Sequence, residues 1–281
     1  MNAGMGFEVA SEALEALLDQ VHEGRIQAPE FQRAVVLKDE WVNALLASVS
    51  LGYPVGAVML LEADDYYARF ATHPVPGAPP AAHGRRPERL LVDGQHRLAA
   101  LYQALRSGEG VLVRDGEGGP TRRSYSIDMR AAIDPAVDRD EAIFSVGEGG
   151  WSRALQEGDA QFPLGLVFGR EDEAPAGADG TVVLSPGVRG AHGAERGQSP
   201  ATTDRGRWLA EFVGRGPERD ETRAALVRRF EAEVLSAFDA YVVPTIRFPK
   251  EWTRWTARMR GGENGRALSD ALGIPRRGEA P

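Results

Sequence analysis

The chain has 281 residues, 42% of them hydrophobic and 26% charged, an ordinary globular balance long enough for one large domain or two small ones. Its net charge of −8 argues against a protein that coats nucleic acid non-specifically, although residues 205–281 are basic on balance while the rest is acidic. Cysteine is absent, which excludes disulfides, thiolate nucleophiles and zinc–thiolate sites. No stretch reads as a membrane span or a signal pattern, so a cytoplasmic protein with no membrane partner is expected.

Ser11 is placed to cap a first helix that buries Leu14, Leu17, Leu18 and Val21 and ends at Gly24. Arg25 to Ala28 reads as a short extended piece entering Pro29, and Phe31-Gln32-Arg33 as a strand end or loop. Asp39 is placed to cap a helix over 40–50 that buries Trp41, Leu45 and Val49, and Gly52-Tyr53-Pro54 breaks it. Val55 to Leu61 is short, branched and apolar, hence a strand. Residues 63–88, rich in Pro and Gly, read as a loop insertion; His73 and His83 lack metal-ligand spacing, and Arg85, Arg86 and Arg89 read as a solvated basic cluster.

Leu90-Leu91-Val92 is an apolar run too short for a helix and suits a buried strand. Asp93-Gly94 turns the chain, and Leu98, Leu101, Tyr102 and Leu105 follow at helical spacing. A helix N-terminus then stands at the end of a buried strand, where unpaired backbone N–H groups favour an anion. Gln95 and Arg97 fall in its first turn, Arg97 able to grip a phosphate by two hydrogen bonds and Asp93 able to cap the helix or help hold a phosphate-bound metal. The bland alternative is a capped strand–helix corner whose arginine pairs with an acidic neighbour.

Further on, Ser124 to Met129 alternates as a strand with Tyr125, Ile127 and Met129 on one face, Ala142 to Val146 is a second strand, and Phe162-Pro163-Leu164 opens a short apolar segment. Residues 171–204 read as a flexible segment, with Thr181 to Leu184 its one strand candidate. A short helix around Trp208, Leu209 and Phe212 precedes a longer one that buries Leu226, Phe230, Val234 and Phe238. Tyr241 to Phe248 reads as a strand that Pro244 should place at an edge or a bulge.

The segment Asp93-Gly94-Gln95-His96-Arg97 resembles the DGQQR hallmark of the ParB-like proteins of the GmrS type, with His96 in place of the second Gln. Pro29-Glu30-Phe31-Gln32-Arg33 resembles a second family block, Pro-x-Tyr-Gln-Arg, and continues in the family's manner through Trp41 to a Gly-Tyr-Pro turn and Gly56. The Val-Pro strand after a long helix fits as well, and Asn264 to Ser269 is an approximate match to a later family turn.

The resemblance implies an α/β (α+β) fold with a small ParB/sulfiredoxin-like mixed sheet and flanking helices: an NTP-binding core over 1–170, the flexible segment 171–204, and a helical segment with an edge strand over 205–281 that packs on the core. It implies hydrolysis of a nucleoside triphosphate, GTP or ATP, with Mg²⁺. Asp93, Gln95 and Arg97 would be catalytic, with Asp93 at the metal. Gly94, His96, Arg97, Gln32 and Arg33 would bind the nucleotide, Gly94 by letting the backbone approach it closely. Phe31, Gln32 and Arg33 would meet DNA, phosphorothioated DNA for example. Relatives act in restriction of foreign or modified DNA, many with an HNH nuclease domain; this sequence has no such motif, so a nuclease domain or partner subunit is expected. A non-catalytic module that binds nucleotide or modified DNA stays open, as does self-association.

Overall fold

The computed structural model describes residues 6–30, 32, 34–63, 71–114, 119–147, 160–169, 183–184, 188–189, 204–214 and 221–250. In chain order the strands are β1 (Glu8–Ala13), β2 (Ile26–Pro29), β3 (Val58–Glu62), β4 (Thr72–Pro74), β5 (Arg89–Asp93), β6 (Val111–Val113), β7 (Thr121–Asp128), β8 (Ile143–Gly147), β9 (Gln161–Pro163), β10 (Val183–Leu184), β11 (Val188–Arg189) and β12 (Val242–Phe248). The first helices are α1 (Leu14–His22), α2 (Asp39–Ser50) and α3 (Gln95–Leu105). The fold is α+β and divides into two compact units, one of Met1–Val35, Gly56–Ala99 and Val242–Pro281, the other of Val36–Val55 and Ala100–Tyr241. Among the described residues no helix is long and apolar enough to cross a membrane.

The first unit holds a six-stranded mixed sheet in the order β1-β12-β3-β5-β2-β4. Its core is apolar along β3 and β5 (Val58, Leu60, Leu90, Leu91) and is joined by the stripe Leu14, Leu17, Leu18 and Val21 of α1, all buried. The i, i+3, i+4, i+7 spacing puts that stripe on one helix face, each side chain contributing roughly 1.5–3 kcal/mol by its burial. Ser11 does not cap α1. It lies in β1 opposite Pro244, the residue before the helix is Ala13, and no side chain caps that end. The sequence of β1 carries no strand pattern of its own; its register against β12 fixes it.

β12 is not an edge strand. It lies between β1, antiparallel, and β3, parallel. Pro244 is tolerated because the ladder to β3 begins one residue later, at Thr245, so the missing N–H falls outside it. Nor is Arg89 part of a solvated cluster. Its guanidinium is buried, donates to both carboxylate oxygens of Glu12 at 2.8 and 3.0 Å, and also bonds Gln20. Glu12 receives Arg247 as well, at 3.1 Å.

The insertion after β3 is partly built into the sheet. β4 pairs with β2, and the buried Gln27 spans the gap, its Nε2 donating to the carbonyls of Gly24 and Arg85 while its Oε1 accepts from the Thr72 hydroxyl.

In the second unit β7 is the long central strand, with β8 on one side and β6 and β9 at successive stretches of the other. Tyr125, Ile127 and Met129 are buried as their alternation requires. The buried face of α2 is Val42, Leu45, Leu46 and Val49, which turns Trp41 outward, 39% exposed. Asp39 opens α2 without capping it. Its carboxylate instead accepts from the Tyr125 hydroxyl at 2.6 Å and the Ser145 hydroxyl at 2.8 Å, tying α2 to β7 and β8. The helix Glu221–Phe230 passes through a π-helical turn, Glu231–Leu235, into Ser236–Asp239, and Leu226, Phe230, Val234 and Phe238 stay buried through the change.

Candidate functional site

The strand, the turn and the start of the helix read around Asp93 form in the first unit. β5 ends at Asp93, Gly94 has φ +89°, and α3 begins at Gln95. The Gly94 carbonyl accepts from the Leu98 N–H at 2.9 Å, so Gly94 is the residue on which the helix ladder starts. The N–H groups of the first turn have no partner within such a ladder, and they gather at the end of a buried strand. Gln95, His96 and Arg97 are all half-buried there.

Gly94 is needed twice. Its φ lies where side chains are strained, and a Cβ would come to 3.2 Å from Val58 Cγ2 and 3.4 Å from the Ala57 carbonyl oxygen. The close approach that glycine permits is made here by Ala57 and Val58, at the start of β3. What Gly94 can offer a ligand is its backbone.

A second glycine seats the arginine. Gly56, with φ +93°, lies directly under Arg97, and a Cβ there would collide with the guanidinium. Sequence reasoning saw Gly56 only as the entry to β3; a glycine just ahead of a strand that neighbours the motif strand was the available signal. Arg97 also faces Asp93, NH2 to Oδ2 at 3.7 Å, with the side chains 24% and 63% exposed. A pair this long and open to water is worth about 0–1 kcal/mol.

Gln32 joins the corner from β2. β2 and β5 are parallel, so their C-terminal ends lie on one side, and the turn after Pro29 carries Gln32 to the end of β5. Its Nε2 donates to the Leu91 carbonyl at 2.6 Å and to the Val92 carbonyl at 2.9 Å, continuing the sheet where β2 has stopped. Phe31, expected at DNA, and Arg33, expected at nucleotide and DNA, lie outside the described residues, as do Asn264 to Ser269. Among the described residues no three His, Asp or Glu side chains gather as a metal cage. Asp93 alone fits a magnesium ion carried by phosphates, which needs only one or two protein carboxylates and keeps several waters.

The family described as GmrSD restriction endonuclease, N-terminal domain, matches residues 14–171. The chain belongs to this family. The match takes in β2, Gln32, the Gly56 seat and the whole DGQHR corner, while β12 lies beyond it. Over 137 residues, 47% of its length, the chain is also 27% identical to an uncharacterized protein of Methanocaldococcus jannaschii, and it spans 22% of that relative. The corner thus lies inside the domain that places this chain in the GmrSD family.

Proposed function

We propose that the corner of β5, Gly94 and α3 binds a nucleoside triphosphate, GTP or ATP, and hydrolyses it, and that the chain is the regulatory, DNA-sensing part of a restriction system whose cutting is done by a nuclease domain or partner. The observation that carries this reading is the seat of Arg97: a guanidinium lying on Gly56, faced by an exposed carboxylate, at a helix N-terminus. The resemblance to DGQQR proteins and the GmrSD family support it. First-turn N–H groups and Arg97 offset phosphate charge as it develops, Gln95 orients the attacking water, and His96 belongs to the nucleotide-binding set. Mg²⁺, when bound with the nucleotide, neutralises phosphate charge, and Asp93 is the residue that would hold it. Phe31 and Arg33 would read the DNA, phosphorothioated DNA for example.

The test is phosphate release from GTP and ATP with Mg²⁺, with plain DNA, with phosphorothioated DNA and without DNA. Arg97→Ala and Asp93→Ala should each cost on the order of a hundredfold in turnover, and modified DNA should change the wild-type rate. No turnover of either triphosphate under any of these conditions refutes hydrolysis and leaves a binding module; a rate indifferent to modified DNA refutes the sensing role.

A further inference from the structure

We infer that Gln32 accepts a hydrogen bond from the base or sugar of the nucleotide, so that the nucleoside end of the ligand lies at Gln32 and the phosphate end at α3. This rests on the nucleotide reading above and gives it a direction. Both hydrogens of the Gln32 amide are already committed, to Leu91 and Val92. Two carbonyl oxygens can be satisfied only by donors, so these partners fix which way the amide points. What remains is Oε1, buried and met by no donor among the described residues. A buried acceptor without a donor is costly and rare, and calls for a water or ligand to complete it.

A phosphate oxygen cannot be that ligand atom, since it too only accepts. An N–H of a base or an O–H of a ribose can. The placement suits one nucleotide: Val92 is two residues before Gly94, roughly 7 Å of extended chain, and the phosphates would lie beyond, at the first turn of α3 and Arg97.

The test uses the full chain and two probes bound with Mg²⁺, the nucleoside triphosphate and inorganic tripolyphosphate, which has no donor to offer. Wild type should bind the nucleotide more tightly; equal affinities overturn the inference without any variant. Gln32→Lys keeps donors for Leu91 and Val92 and removes the acceptor. It should weaken the nucleotide relative to tripolyphosphate by about three- to tenfold. Gln32→Glu keeps an acceptor and loses the donors, and should weaken both probes by loosening the end of β5. If Gln32→Lys moves both probes by one factor, Gln32 only positions the turn and the inference fails. A 2′,3′-dideoxy triphosphate that binds as well as the ribonucleotide assigns the donor to the base, and weaker binding assigns it to the ribose. A wild type that binds neither probe refutes the nucleotide site itself.

Discussion

Replacing Gly56 by alanine separates the cost of a strained backbone from the cost of unseating Arg97. Gly56 has φ +93°, so any side chain there pays about 1–2 kcal/mol in backbone strain. For a protein of this size that lowers the melting temperature by roughly 2–8 °C. The added Cβ also occupies the place of the Arg97 guanidinium, which is the far end of a flexible side chain and can swing away. The collision should therefore show in function more than in stability. Gly84 is the matched control, with φ +80° in the same unit and open space for 4 Å around the point where a Cβ would stand. Gly56→Ala and Gly84→Ala should melt within about a kcal/mol of each other, while Mg²⁺-dependent phosphate release should fall, by up to about a hundredfold, in Gly56→Ala alone. Equal turnover in the two variants would refute the claim that the seat of Arg97 matters to the site.

Two further outcomes concern the frame around the corner. Burial alone would raise the Glu12 pKa, but the hydrogen bond and charge of Arg89, with the charge and hydrogen bond of Arg247, outweigh it and hold the carboxyl below its ordinary value of 4.5. A carboxylate depressed on folding adds stability that is present above its unfolded pKa and lost as pH falls through its folded one. The wild type should therefore lose stability as the pH drops below about 4.5, and Glu12→Gln should lack that component while being about 3 kcal/mol less stable at neutral pH. Urea titrations across the acid range measure both, and parallel acid limbs for the two proteins would contradict the assignment. Gln27→Ala unclips the insertion from Gly24, Arg85 and Thr72, at about 1–3 kcal/mol. Trypsin should then cleave faster after the exposed Arg85, and an unchanged cleavage rate would show that β4 alone holds the segment.

The corner itself was legible because its signals are local: an apolar triplet, a glycine and a helical stripe lie within sixteen residues of chain, from Leu90 to Leu105. The buried faces of α1 and of the helix starting at Glu221 were legible for the same reason. What local patterning could not carry was pairing at a distance. β1 has no alternation to mark it, and its residues become a strand only against β12. Arg89 looked like one of three loop arginines, yet its partners, Glu12 and Gln20, stand far upstream in the chain. Trp41 fell to a finer error. A shift of one residue is about 100° around a helix, enough to turn an aromatic side chain from the core to water. In the candidate site, the residue types of Gln32 and Arg97 were readable from sequence, but the carbonyls that take up the Gln32 amide and the glycine beneath Arg97 belong to neighbouring strands.

The place of β12 bears on how the protein comes to be made. Synthesis must run to Phe248 before β1 and β3 can receive the strand that separates them, and the ladder then closes over a span as wide as Glu8 to Arg247. Such late, long-range closure is slow, and until it happens two strand edges are open to pairing with other molecules. A fragment trimmed to the family boundary at residue 171 would keep every residue of the DGQHR corner and still lack the strand that joins one side of its sheet to the other. Sheet order, more than the extent of family similarity, sets where this chain can be shortened.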